Sequence, residues 1–315
     1  MVMDYEGRLS RVREAMRERG IALMYLRRGA NLFYLTGIKR KGPELTDNNS
    51  FGDYIHGAYI TLTGGITILA PRMGASGWKK QAEGKPWITR VKILDESERP
   101  KEILREVIGQ LNMRGKGVAI EERAWAHTVL LFRQVMPYSK LSNASEIIEP
   151  MRMIKDSDEI EVMKKAGEIT DRVYGKVVDG LERGQSEIDV ANAIDYEFRK
   201  QGADYNSFVT GVRFRSPNHP WILGESPDKP RLLEDGDTIS FDFGCVYDGY
   251  CSDFGRTVYV GEPPAKVQEI HDLVMTAQGT AIEQMKEGEL TCEQLDSVAR
   301  GIIERGGYGE NFVHR

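Results

Sequence analysis

The chain opens on a helical rhythm. In "DYEGRLSRVREAMRERG" the apolar residues Leu9, Val12, Ala15 and Met16 recur at three- and four-residue intervals, and Gly20 ends the run. That spacing predicts an amphipathic helix with a glycine stop. "IALMYL" follows as an unbroken apolar run of strand length. "GAYITL" and "GITILAP" flank Gly64-Gly65 and read as a hairpin. "RVKILD" is a further strand, "EILREVIGQLN" a helix and "KGVAIE" another strand, and "HTVLLFRQVMP" is a helix that ends before Pro137. Strands alternating with helices in this way predict an α/β domain over residues 1–150. Within it, "KRKGPELTD" and "NNSFGDYIHG" make a long polar loop, of a kind that is functional or mobile in compact domains.

The pattern changes near "EIIEPMRMIKDSDEIEVMKKAGEITDRVY". Pro150 punctuates there, and Asp156 or Ser157 caps a helix with acidic residues in its first turn. Residues 151–315 then run helix, helix, strands, and the order occurs twice. The first copy, 155–260, has a helix from about 157 to 182 followed by "RGQSEIDVANAIDYEFRKQGADY". The second, 262–315, has a helix from about 266 to 286 followed by "EGELTCEQLDSVARGIIERGGYG". A shift of 105 lays Ser186 on Thr291, Val190 on Leu295, Ile194 on Ala299, Phe198 on Ile303, and Gln201-Gly202 on Gly306-Gly307. Caps, core spacing and stop signals thus coincide. The first copy continues into "YNSFVTGV", "DTISFDFG" and "YCSDFGRTVYVG", whereas the second reaches only "ENFVHR". By this internal logic the second copy is expected to lack about 50 residues. The chain then reads as a fragment, because an unfinished half would leave open strand edges and an uncovered apolar helix face.

Composition narrows the classes. Of 315 residues, 40% are apolar and 29% charged, which is globular. The 43 Lys and Arg against 48 Asp and Glu give a net charge of −5, and nothing forms the basic stripe that nucleic acid requires. No stretch reaches the roughly 20 apolar residues needed to cross a bilayer, and "MVMDYEGRLSRVREAM" has no secretory apolar core. Three cysteines, Cys245, Cys251 and Cys292, suggest a reducing compartment, and the cytoplasm is the expected location. Cys245 and Cys251 as zinc ligands would need a second Cys/His pair, and none has the spacing, so ordinary thiols are the plainer reading.

The tripeptide Asp-Phe-Gly occurs twice in "SFDFGCVYDGYCSDFGRTVYV". Protein kinases use one to hold magnesium, but the glycine-rich loop with its Lys and the His-Arg-Asp loop are both missing. The two β-prone runs joined by "YDG" instead predict an antiparallel hairpin. A pairing sum of 495 or 497 sets Asp242 opposite Asp253 or Gly255, which places both aspartates on one face. Two adjacent carboxylates repel, and a divalent cation between them removes that cost. Oxygen ligands suit Mn²⁺, or Zn²⁺ or Co²⁺ if a His joins. The bland alternative is a solvated face neutralised by Arg256.

Asp242, ten residues, Asp253 and then Arg256-Thr257 resemble the first catalytic hairpin of the creatinase and proline-specific peptidase family. "NLFYLTGI" is similar to that family's N-terminal domain and "MRMIKDSDEIEVMKKA" to its interdomain segment, so the resemblance runs from about residue 8 to 315. It implies an α/β N-terminal domain followed by an α+β pita-bread domain of two similar halves, the second incomplete here. It also implies two divalent metal ions, Mn²⁺ first and Co²⁺ or Zn²⁺ otherwise, sharing a hydroxide that attacks the carbonyl before a proline. Asp242 would bind one metal through both oxygens and Asp253 would bridge the pair. His219, in "SPNHP", is similar to an upstream histidine that lies near the substrate and supports the tetrahedral intermediate; a plain loop histidine is its alternative. His314 is similar to the first His of a His-x-x-Gly-His pattern that approaches the substrate.

The remaining three expected ligands, a His and two Glu, would lie beyond Arg315, so this polypeptide alone is expected to be inactive. His56 lies in the long loop, which in the family can reach a partner subunit's site, and a homodimer is expected. His127 and His271 sit in helical patterns and read as surface or core-edge residues. The expected function is a metal-dependent hydrolase of small proline-containing peptides, with no nucleic acid or membrane partner. Two alternatives stand beside it: a creatinase-like metal-free hydrolase of an amidino or cyclic compound, and a non-catalytic binding relative.

Overall fold

Caps and apolar spacing set the elements of the first half. The structure, a computed structural model, describes residues 3–40, 51–110, 116–217, 231–286 and 288–313. In α1 (Tyr5–Glu18) the Asp4 carboxylate accepts from the Gly7 N–H, and Leu9, Val12 and Met16 are buried on one face. β1 (Ile21–Leu26) is buried at every position, as its unbroken apolar run requires of a central strand. α2 (Ala30–Thr36), β2 (Gly57–Thr61), β3 (Ile66–Pro71), α3 (Ala75–Ala82), β4 (Ile88–Leu94), α4 (Pro100–Gln110), β5 (Gly117–Ile120), α5 (Ala126–Val135) and β6 (Leu141–Asn143) follow.

These six strands form one sheet in the order β4-β3-β2-β1-β5-β6. β2 and β3 are the antiparallel hairpin that the Gly64-Gly65 turn indicated, and β1 runs parallel to β5. Helices cover both faces. Leu9 and Val12 of α1 pack with Leu32 of α2 and Ile147 of α6 (Ser145–Met153) on one side. Leu104 of α4 packs with Leu131 and Phe132 of α5 on the other. The sequence marked Pro150 as a break, yet it lies inside α6. Burial of Ile147 and Ile148 holds the helix together there, so packing overrides the local signal.

α7 (Ser157–Asp179) starts on a reciprocal cap: Asp156 accepts from the Glu159 N–H, and Glu159 accepts from the Asp156 N–H. α8 (Glu187–Lys200) begins after Ser186, which exchanges hydrogen bonds with Asp189. The run "YNSFVTGV" was expected as one strand, but it divides into β7 (Tyr205–Asn206) and β8 (Gly211–Arg215). Asp195 Oδ1 accepts from both Asn206 and Thr210 at 2.5 Å and gathers the intervening turn. β9 (Thr238–Phe243), β10 (Cys245–Tyr247), β11 (Tyr250–Cys251), β12 (Phe254–Tyr259), α9 (Ala265–Gln284) and α10 (Cys292–Arg305) complete the described elements. Two small sheets have the orders β11-β10-β7 and β12-β9-β8. Thr291 and Gln294 form the same reciprocal cap on α10 that Ser186 and Asp189 form on α8, 105 positions earlier.

The chain divides into two compact units: Met1–Gly180 with Ala191–Gly211 and Asp242–Phe254, and Leu181–Val190 with Val212–Phe241 and Gly255–Arg315. In the second, Asp237, 1% exposed, pairs with Arg231 at 2.7 Å and accepts from the Glu234 N–H, which fixes the entry to β9.

In the first unit Arg8 is 1% exposed. Its guanidinium lies 2.7 Å from Asp156 and 3.2 Å from Glu159, donates to the Tyr34 carbonyl and sits over the Tyr34 ring. Arg8→Met would leave the buried Glu159 carboxylate without its cation. We expect a loss of about 3–5 kcal/mol in urea unfolding. Adding Glu159→Gln should recover part of it, and full additivity of the two costs would show that the pair is not coupled.

Candidate functional site

The hairpin that carries the doubled tripeptide turns on Asp248-Gly249. Asp248 has φ +49° and Gly249 φ +86°, and Tyr247 pairs with Tyr250, the geometry of a two-residue type I′ turn. Gly249 is required twice over, since an added Cβ would also strike the Phe33 ring. Asp248 pairs with Lys39, and the Tyr250 hydroxyl donates to Glu159 at 2.9 Å. The tip of the hairpin is therefore held from within the first unit, by Phe33 of α2, Glu159 of α7 and Lys39 in the segment after α2.

The pairing sum at the tip is 497, shown by Val246 opposite Cys251. The ladder expected to continue through both aspartates breaks instead. Beyond Gly244 on one side and Ser252-Asp253 on the other, the strands pass from one small sheet to the other. Asp242 lies on β9, whereas Asp253 occupies the break.

Each tripeptide works as an inward ring and an outward carboxylate. Phe243 and Phe254 are buried with their rings 5.1 Å apart, and Phe198 and Tyr174 close round them. Alternation along β9 puts Asp242 on the face away from Phe241 and Phe243, and Asp242 and Asp253 are both exposed. Neither carboxylate has a hydrogen-bond or ion-pair partner among the described residues.

Asp253 is positioned by its neighbour. Ser252 Oγ accepts from the Cys245 N–H at 2.9 Å and shares a hydrogen bond of 2.7 Å with Thr170. The Ser252 N–H donates to the Cys245 carbonyl, and the Ser252 carbonyl accepts from Ser207 Oγ at 2.9 Å. The sequence reading missed Thr170, Ser207 and Ser252. Their signal was a serine directly before the second aspartate in "YCSDFG", which is uninformative until its partners are known.

His219 and His314 lie outside the described residues. His56 is not the outward-reaching loop residue that was expected. It precedes β2, is 8% exposed, and burial pushes its imidazole down to about 4. His127 stacks on Tyr54 at 3.9 Å, and His271 is exposed on α9 beside Asp272. Cys245 is buried and Cys251 exposed; Val246 opposes Cys251, so alternation sets the two thiols on opposite faces and no shared zinc site arises from them.

Among the described residues no group of three or more His, Cys, Asp or Glu side chains is arranged around a common cation site. The pair Asp242 and Asp253 nevertheless fits hard divalent cations: anionic oxygen donors, exposed, and not already neutralised by a described partner.

Residues 8–154 match the profile of the Creatinase/Prolidase N-terminal domain, and residues 161–315 match that of Metallopeptidase family M24. The uncharacterized peptidase YqhT of Bacillus subtilis is 35% identical over 204 residues, which is 63% of this chain and 56% of its own length. A Xaa-Pro dipeptidase of Pyrococcus furiosus is 29% identical over 308 residues, covering 98% of this chain and 80% of that one. A recombinant prolidase from Thermococcus sibiricus superposes with a TM-score of 0.85 at 32% identity, over 100% of this chain and 81% of the other.

At Gly244 an added Cβ would collide with the Ser252 carbonyl and lie 2.5 Å from Ser207 Oγ. Gly244→Ala must therefore move the segment that carries Asp253. We expect about 1–3 kcal/mol lower stability together with weaker divalent-metal binding by calorimetry. Unchanged binding in a folded Gly244→Ala variant would show that Asp253 is not held through this contact.

Proposed function

The chain belongs to metallopeptidase family M24, with a creatinase/prolidase N-terminal domain ahead of a pita-bread domain, and from that premise we propose that it hydrolyses the peptide bond before proline in small peptides. The observation that carries this reading is the pair of exposed, internally unpartnered aspartates on a hairpin whose rings and serine fix it from behind. Asp242 and Asp253 are the proposed metal ligands. Two divalent cations, Mn²⁺ first and Co²⁺ or Zn²⁺ otherwise, would supply an activated water and polarise the scissile carbonyl there.

The chain's own residues do the rest. Phe243 and Phe254 anchor the two carboxylates from the core side, so neither has to be ordered at the moment of binding. Ser252 ties the Asp253 segment to the start of β10. His219 and His314 are the proposed substrate-side residues, His219 supporting charge that develops on the carbonyl oxygen and His314 approaching the peptide.

We also propose the functional division at residues 1–150 and 151–315, a homodimer, and a cytoplasmic location. No described helix is long and apolar enough to cross a membrane, and the net charge of −5 supports a peptide in preference to nucleic acid as partner.

Asp253→Asn tests the assignment. Manganese retention after gel filtration should fall, and turnover of a Xaa-Pro dipeptide should be lost wherever the parent shows it. The thermal midpoint in chelator should stay level or rise, because one of two repelling charges has gone. Full metal-dependent turnover by Asp253→Asn would end the proposal.

A further inference from the structure

Ser252 supports Asp253 from behind, and Asp242 has a separate support that begins on α8. Asp195 of α8 is half-buried, and its Oδ1 accepts from Asn206 Nδ2 and from Thr210 Oγ1, both at 2.5 Å. Asn206 also donates to Thr210 Oγ1 at 3.1 Å. The three groups close a ring across the turn from β7 into β8, with the Thr210 hydroxyl donating to the carboxylate and accepting from the amide. A hydroxyl that donates to a carboxylate at this length makes one of the stronger hydrogen bonds. Three residues further along α8, Phe198 lies edge-on to Phe243 at 5.8 Å, and Phe243 follows Asp242 directly.

Gly211 comes next after Thr210 and opens β8, which lies beside β9 in its sheet. A Cβ added at Gly211 would stand 3.2 Å from the Asp242 carbonyl oxygen and 3.3 Å from the Asp242 Cβ. Facing Cβ atoms on neighbouring strands ordinarily keep about 4.5–5.5 Å. Gly211 does not take a positive φ, so the backbone conformation does not ask for glycine there. The close approach to Asp242 does. A glycine weakens a strand and marks a place where a ligand or another backbone comes near; here that backbone belongs to Asp242.

We propose that Asp195, Thr210 and Gly211 are positioning residues for the Asp242 carboxylate. Asp195 fixes Thr210, and the bare backbone of Gly211, held at Thr210, sets how near β8 comes to the root of the Asp242 side chain. The proposal rests on the reading of Asp242 as a metal ligand. A ligand held by hydrogen-bonded neighbours binds its metal more tightly than the same ligand held loosely. Bulk added at position 211, or a hydroxyl lost at 210, therefore acts on the ligand without touching the cation.

Calorimetric titration with Mn²⁺, paired with thermal midpoints in chelator, tests this on the parent, Gly211→Ala, Thr210→Val and Thr210→Ser. Gly211→Ala should bind Mn²⁺ at least about tenfold more weakly, while its midpoint in chelator stays level with the parent's or rises, since alanine restricts the unfolded chain. Thr210→Val keeps the shape and loses the hydroxyl, and should weaken Mn²⁺ several-fold. Thr210→Ser restores the hydroxyl without the methyl group and should bind as the parent does, a rescue that packing alone would not give. Parent-like affinity in Gly211→Ala or in Thr210→Val ends the proposal, as does a Thr210→Ser variant as weak as Thr210→Val. Loss of the fold by Gly211→Ala in chelator ends it too, because the contact would then be structural only. If the parent itself shows no saturable Mn²⁺ binding, the metal reading of Asp242 falls and takes this inference with it. A parent that binds beside variants that bind equally well removes this inference alone.

Discussion

A guanidinium with almost no access to water holds the first unit together. Burying Arg8 is costly, and two carboxylates, a carbonyl and an aromatic face offset that cost, although its Nε is left without a hydrogen bond. The carboxylates serve twice. Asp156 and Glu159 already satisfy the first N–H groups of α7 as a reciprocal cap, so the start of that helix and the neutralisation of Arg8 are one arrangement. Glu159 serves a third time, because its other oxygen takes the Tyr250 hydroxyl. Burial, with that carboxylate alongside, keeps the Tyr250 phenol protonated well above its ordinary range, so it remains a donor.

From Tyr250 the constraint passes along the hairpin. The Asp248-Gly249 turn fixes the twist, and Phe33 closes on Gly249 and lies edge-on to the Tyr250 ring at 5.7 Å. Two residues further, Ser252 is tied by its hydroxyl, its N–H and its carbonyl to three separate partners. Asp253 comes next and is tied to none of the described residues. The arrangement is rigid up to the carboxylate and open beyond it.

Much of this was legible because it is local. The Asp-Gly turn between β-prone runs and the caps at Asp156, Ser186 and Thr291 each depend on residues within a few positions of one another, and the 105-residue recurrence is a repeat of such local signals. What could not be read depends on partners distant in sequence. Arg8 meets Asp156 across 148 positions, and Glu121 meets Asn31 across 90. His56 looked like a loop residue because its neighbours are polar, and its burial is decided by the sheet that follows. Alternation alone predicted one continuous ladder through both aspartates. The ladder breaks at Gly244, where Ser207 and Ser252 leave no room for a side chain, and periodicity carries no record of those neighbours.

The doubled tripeptide is where the local and the distant constraints meet. A phenylalanine after each aspartate gives both segments the same inward anchor, and a glycine after each phenylalanine removes the Cβ from the next position. In the first copy that glycine is obligatory, since the Ser252 carbonyl occupies the space; in the second, Gly255 has no such crowding within ordinary contact distance except a Phe241 carbonyl at 3.9 Å. The two copies are therefore alike in what they bury and unlike in what they demand of the backbone. The rings make the hairpin one body, Gly244 lets its two sides approach, and Glu159 of α7 with Lys39 in the segment after α2 hold Tyr250 and Asp248 at its tip. Because α1, α2 and the hairpin lie in the same compact unit, the N-terminal half contributes directly to the placement of the aspartates. A variant that loosens Arg8 acts on Asp253 through the same contacts that fold the domain, and the site's geometry cannot be separated from the stability of the sheet half that precedes it.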